Sequence, residues 1–162
     1  MSAIEQAIQH WELARGQTLA MLDTIDELAD PLGVLGWRPS PGRAHICWQL
    51  MHIAITEEIF ATAFLQNSEP GLTNLVLRFR RDSTPDDEIH SPEEIRNTLI
   101  TTRTHLLESI RSFEGSDLSQ LTAGRQERGW SIAKLLTIVS WHEAHHQGQA
   151  HFCLNSWKAA YK

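Results

Sequence analysis

The chain has only two cysteines in 162 residues, Cys47 and Cys153, too few for a disulfide-stapled scaffold. Both fall inside helical patterns, where a free cysteine usually serves as a small buried apolar side chain. No apolar run approaches the roughly 20 residues of a membrane-spanning helix. The opening residues, MSAIEQAIQHWE, lack the basic leader and apolar stretch of a secretory signal, so the chain is expected to stay in the cytoplasm. Basic charge is also scarce, with 14 Lys and Arg against 20 Asp and Glu and a formal net charge of −6. Nucleic-acid binders carry a basic stripe. The longest basic cluster here, Arg78-Phe79-Arg80-Arg81, reads as a solvated loop or helix end. Neither a nucleic acid nor a membrane is expected as a partner.

What is present is ordinary for a globular protein: 41% apolar and 21% charged residues. A chain of this length buries roughly 68–70% of its unfolded surface, enough for one core without staples, and residues 1–162 read as a single domain. Four helical segments stand out, with no convincing strand. The first spans about 2–29, where Ile4, Ile8, Trp11, Leu19, Leu22, Ile25 and Leu28 recur mostly at three- and four-residue steps. Asp30-Pro31 and Gly33 then break the pattern. The second covers about 44–66 and is apolar on much of its circumference. Residues 67–90 are the least regular, with room for a short helix at 73–80, and a loop of that length calls for a function or some structure of its own. The third begins at Ser91, with Pro92 next and Glu94 completing a capping box, and runs to about 113. The fourth opens at Ser131 and runs to about 157. The expected fold is all-α, a four-helix bundle with a long connection between helices two and three.

Nine histidines and six tryptophans are the unusual part of the composition. The last helix contains Trp141-His142-Glu143-Ala144-His145-His146-Gln147-Gly148-Gln149-Ala150-His151. His142 and His146 lie one turn apart on one face, a spacing that lets two imidazoles reach one divalent cation. They follow an apolar run, Leu135, Leu136, Ile138 and Val139, where unpartnered imidazoles would be costly. Read literally, His142-Glu143 and His146 also form the HExxH of zinc proteases. Peptidase chemistry is disfavoured: Gly148 and His151 come one residue too early for the extended protease motif, no acidic residue follows Glu143, and a substrate-aligning sheet is missing. The third ligand is therefore expected from another helix. His52 is the best candidate, embedded in Trp48-Gln49-Leu50-Met51-His52-Ile53-Ala54. His45 reads as a surface or capping residue, and His10, His90 and His105 lack a comparable setting. His145 and His151 line the pocket or face solvent, with His145 assigned outward. Three histidines leave metal positions open to water or substrate, as in catalytic sites.

With these residues in place, the chain resembles the DinB-like (YfiT-like) family of bacterial four-helix-bundle metalloproteins over nearly its whole length. The most specific match is His142 to Gln149, the family's HxxxH followed by a polar residue, Gly and Gln. Weaker matches are His52 ahead of Thr56, Glu57 and Glu58, and Gly129-Trp130-Ser131-Ile132 leading into the last helix. The resemblance implies His52, His142 and His146 as ligands of zinc or nickel, and frequent homodimers. It also implies thiol-dependent chemistry, since characterised relatives include transferases of low-molecular-weight thiols such as bacillithiol and a mycothiol-dependent isomerase.

The expected activity is thus transfer of a small thiol to an electrophilic small-molecule substrate, in detoxification or stress. The alternatives are a hydrolase using metal-bound water and a non-catalytic metal- or ligand-binding stress protein. A structural bundle without metal requires His52 to point away from His142 and His146. Glu57, Glu58 and Gln149 are candidates to orient a ligand histidine or the substrate. Trp48 and Trp141 are assigned to core packing ahead of the pocket wall.

Overall fold

The computed structural model describes residues 1–161. All six of its α-helices among those residues fall within or beside the expected segments: α1 (Ala3–Asp26), α2 (Pro31–Gly36), α3 (Ile46–Ile59), α4 (Thr73–Phe79), α5 (Pro92–Arg111) and α6 (Ile132–Ala160). No strand is present among the described residues, only an isolated antiparallel bridge between Leu121 and Ser131. Among the described residues no helix is long and apolar enough to cross a membrane.

Local chemistry sets the helix starts. Ser91 accepts from the Glu94 amide at 3.2 Å and the Glu94 carboxylate accepts from the Ser91 amide at 2.8 Å, the reciprocal bonding of a capping box. Ser2 and Glu5 do the same for α1. Ser131 caps α6 by accepting from Lys134. At 30–36, where a break was expected, α2 forms instead. The Asp30 carboxylate accepts from the Gly33 amide at 2.9 Å, and Pro31 occupies the first turn, where its missing N–H costs nothing. A Cβ at Gly33 would lie 2.1 Å from that carboxylate. The same residues that end α1 therefore start a new helix.

The expected 44–66 helix is continuous but not uniform. Phe60–Gln66 is wound as a π-helix, a rare form that often occurs at functional sites. Thr62 donates its hydroxyl to Glu58 O at 2.6 Å, and Asn67 in the left-handed region (φ 50°) ends the segment. The 113–131 loop lies against this π segment. Gly124 donates its amide to Phe64 O at 2.9 Å, and a Cβ there would sit 2.1 Å from Ala63 O. Only glycine admits so close a backbone approach.

The long helices α1, α3, α5 and α6 pack in a ring, α1 on α6, α6 on α3, α3 on α5 and α5 on α1. Two apolar clusters fill it. One joins Met21, Leu22 and Ile25 of α1 with Leu50 and Ile53 of α3, Leu99 of α5 and Leu154 of α6. The other joins Ile4 and Trp11 of α1 with Phe60, Leu106 and Val139. This pairing means α1 and α6 run one way and α3 and α5 the other. Parallel neighbours need a crossover connection, which is the reason for the long 67–91 stretch. Fully buried Ile46, Leu50 and Ile53 each contribute roughly 1.5–3 kcal/mol. Cys47 and Cys153 are buried as expected, and burial pushes both thiols up to about 11.

Between the two apolar clusters lies a charged layer, with one residue from each long helix: Arg15, Glu57, Arg103 and Glu143. All four are buried, the two glutamates at 2% exposure. Arg15 donates to Glu143 at 2.7 Å and to Glu57 at 3.0 Å. Arg103 bridges the same two carboxylates and donates to Trp11 O at 3.0 Å. Thr18 donates its hydroxyl to Glu143 at 2.9 Å. Two positive and two negative charges cancel, and the hydrogen bonds satisfy the groups that burial would otherwise strand.

Candidate metal centre

α6 carries His142 and His146 on one face, and α3 presents His52 to them. The three offer nitrogens that all lie within 4.8 Å of one another. His52 Nε2 and His142 Nε2 are 3.2 Å apart. Two nitrogens each bound at 2.0–2.1 Å to one tetrahedral ion lie about 3.3–3.4 Å apart, so this separation fits a shared cation. His52 is buried, and its ring stacks on Trp48 with centroids 4.6 Å apart and planes 10° from parallel.

Two of the three imidazoles are held by a hydrogen bond at Nδ1, which leaves Nε2 free. His52 Nδ1 donates to Phe79 O at 2.6 Å, which leaves Nε2 unprotonated. The carbonyl comes from the end of α4, so the 67–91 crossover also fixes the His52 ring. His146 Nδ1 donates to Gln49 Oε1 at 2.6 Å. Gln49 Nε2 in turn donates to Gln149 Oε1 at 2.9 Å, and Gln149 Nε2 donates to His145 Nε2 at 2.7 Å. This chain of amides runs in one direction from His146 to His145.

Electrostatics favours neutral rings. Burial lowers the His142 pKa to about 3, helped by repulsion from His52 and His145. Burial lowers His146 to about 2, with His142, His52 and His145 adding repulsion. His52 is lowered by burial against the opposing pull of its bond to Phe79. Neutral imidazole is the ligand form of histidine. The donor set therefore suits a divalent transition-metal cation.

A pH prediction follows for the metal-free protein. A base whose folded pKa lies below its unfolded value of about 6.5 takes up protons first in the unfolded chain. Stability is then full above pH 6.5 and falls as pH drops toward 3. Urea midpoints measured from pH 7 to pH 4 should decline. The decline should be shallower in His142→Gln/His146→Gln, and equal slopes would contradict the burial argument.

The other sequence candidates are placed differently. Glu57 sits in the charged layer, hydrogen-bonded to Arg15 and Arg103. Glu58 accepts from His105 Nδ1 and from the Gly71 amide, at 2.8 and 2.9 Å. Neither glutamate hydrogen-bonds one of the three imidazoles. Gln149 connects to the His146 ring through Gln49. Glu143, the acid of the protease-like motif, points into the core. His45 caps α3, accepting from the Trp48 amide at 3.0 Å, but it is buried rather than at the surface. His105, thought to lack a setting, has one in Glu58. His145 is exposed as expected. Trp48 packs against the core as expected and also lines the cleft, whereas Trp141 is pocket wall: it is 58% exposed and stacks on His145 at 4.7 Å.

The three histidines open into a cleft of about 640 Å³, walled by Trp48, Phe60, Trp130 and Trp141. Trp130 stacks on Phe64 at 5.1 Å, a placement made possible by the Gly124 approach. The basic cluster divides. Arg78 is tied to Asp86 and Glu88 and Phe79 is core, while Arg80 and Arg81 face the cleft. Sequence reasoning missed Gln49, Arg15 and Arg103. Each had a signal, since each is a polar residue on an apolar helix stripe.

Residues 10–150 match the family described as the DinB superfamily. No curated protein and no solved structure matched the chain.

Proposed function

The chain belongs to the DinB superfamily, and on that premise we propose that it is a metal-dependent enzyme transferring a low-molecular-weight thiol to a small electrophilic molecule. The observation that carries this reading is the convergence of three neutral imidazoles on the floor of an aromatic-walled cleft, with Nδ1 of His52 and of His146 each engaged elsewhere. A zinc or nickel ion bound there keeps its full double charge and makes a thiol acidic enough to act as a thiolate at neutral pH.

The chain's own residues perform the rest. Phe79 O and Gln49 hold the rings of His52 and His146 in register. Trp48, Trp130 and Trp141 offer flat apolar faces to the body of the electrophile and exclude water from it. The thiol sulfur forms the new C–S bond as the leaving group departs with its bonding pair, and the thiol proton passes to solvent. Glu143 and Glu57 take no part, being spent on Arg15 and Arg103.

Metal-loaded protein mixed with 1-chloro-2,4-dinitrobenzene and cysteine should form the thioether faster than the uncatalysed mixture. The acceleration should vanish in His146→Ala. Catalysed consumption of the chloride or of a phenyl ester without any thiol would replace transfer with hydrolysis, the alternative open to the same three histidines.

A further inference from the structure

The cleft above the histidines is basic on an acidic chain. Arg80 and Arg81, just after α4, and Arg125 and Arg128, in the loop before α6, all line it. The chain has 14 basic and 20 acidic residues, yet Asp82 is the one acidic residue of this lining among the described residues. Arg80, Arg125 and Arg128 form no ion pair with a carboxylate among the described residues. Arg81 faces Asp82 at 3.8 Å, but both side chains are more than 80% exposed, so that contact is weak. The guanidinium of Arg128 lies over the Trp130 ring at 5.9 Å.

Two separate segments bring these charges together, and the backbone is strained where they do so. Arg125 has φ 53° and Asp82 has φ 67°, left-handed values unusual for residues other than glycine. Gly124, one residue before Arg125, makes the close approach to Ala63 that anchors the loop. The arginines are thus positioned by the fold, with guanidiniums free to form the forked hydrogen bonds that recognise carboxylate and phosphate. Aromatic side chains line the same cleft and suit an apolar body.

We infer that the cleft binds small molecules carrying a carboxylate or phosphate group on an apolar or aromatic body, the anion being held by Arg80, Arg81, Arg125 and Arg128. The inference deepens the proposed activity by naming its substrate class, and rests on that activity only for the role of the histidines.

Binding of benzylsuccinate, its neutral dimethyl ester and phenyl phosphate, followed by tryptophan fluorescence and calorimetry, tests it. The dianions should bind about tenfold tighter than the diester and weaken with added salt. The tighter of the two dianions identifies the headgroup. In Arg80→Gln/Arg125→Gln the preference should fall severalfold while the diester's affinity holds, because both side chains are exposed and the fold does not depend on them. Equal binding of acid and ester, no binding of either dianion, or a preference unchanged in the double variant would overturn the inference. The same titrations on His142→Ala separate it from the metal reading. A preference that persists there stands whatever the metal content proves to be. A preference lost there with all four arginines intact would place the anion on the histidine site and overturn the arginine assignment.

Discussion

A His142→Ala chain is expected to take up no stoichiometric zinc or nickel, whereas the unaltered chain binds about one ion. Three imidazoles from two helices form the set, and His142 Nε2 lies 3.2 Å from His52 Nε2. Its removal leaves His52 on α3 and His146 on α6, each still held by its own hydrogen bond, with no third donor between them. A structural zinc site is worth about 10–16 kcal/mol over four ligands, so one lost ligand weakens binding on the order of 10²–10³-fold. Elemental analysis of protein purified without an affinity tag or chelator, then reconstituted with each ion, reads the result. Equal metal in the two proteins, or none in either, would remove the metal centre and the proposed enzyme with it. The substitution opens space beside Phe60, whose ring centroid lies 6.3 Å from that of His142. Circular dichroism therefore accompanies the measurement, and a folded variant without metal is the expected pair of results.

The histidine site was legible because its cost was legible. His142 and His146 repeat at helical spacing inside an apolar helix, and His52 sits in an apolar stretch of another. Buried imidazoles without partners are expensive, so convergence was the economical reading, and the three rings do converge. Their supports were less visible. Phe79 O is a backbone group, and nothing about a phenylalanine announces that its carbonyl will hold a histidine. Glu57 and Glu58 looked suited to the site because they follow His52 by five and six residues. That spacing turns Glu57 toward α1 and α5, where Arg15 and Arg103 wait, and Glu58 toward His105. Trp141 was assigned to core packing, but its helix turns His142 and Glu143 inward instead. The all-helical fold followed from periodicity and caps, while α2 hid behind residues that ordinarily signal a break. The direction of each helix depended on which apolar stripes meet in space, and only the length of the 67–91 connection hinted at the crossover.

The largest stability effect is expected at the charged layer. Glu143→Gln keeps the shape of the side chain but leaves Arg15 and Arg103 facing the single carboxylate of Glu57, an uncompensated charge among groups that are nearly all buried. Breaking a buried ion pair from one side costs about 3–5 kcal/mol. For a chain of this size 1 kcal/mol corresponds to about 2–4 °C in melting temperature, so a fall of roughly 6–20 °C should be seen. Arg103→Met should cost a similar amount for the mirror-image reason, stranding carboxylate charge. The pair Arg103→Met/Glu143→Gln removes one charge of each sign and restores neutrality with Arg15 facing Glu57 at 3.0 Å. Its cost should therefore fall short of the sum of the two single losses by at least about 1 kcal/mol. Urea denaturation of the four proteins closes the cycle. Additive losses would show that the four residues do not act as one electrostatic unit. A coupled result with metal binding retained would show that the four residues act as one electrostatic unit of the core and that the histidine site does not depend on it.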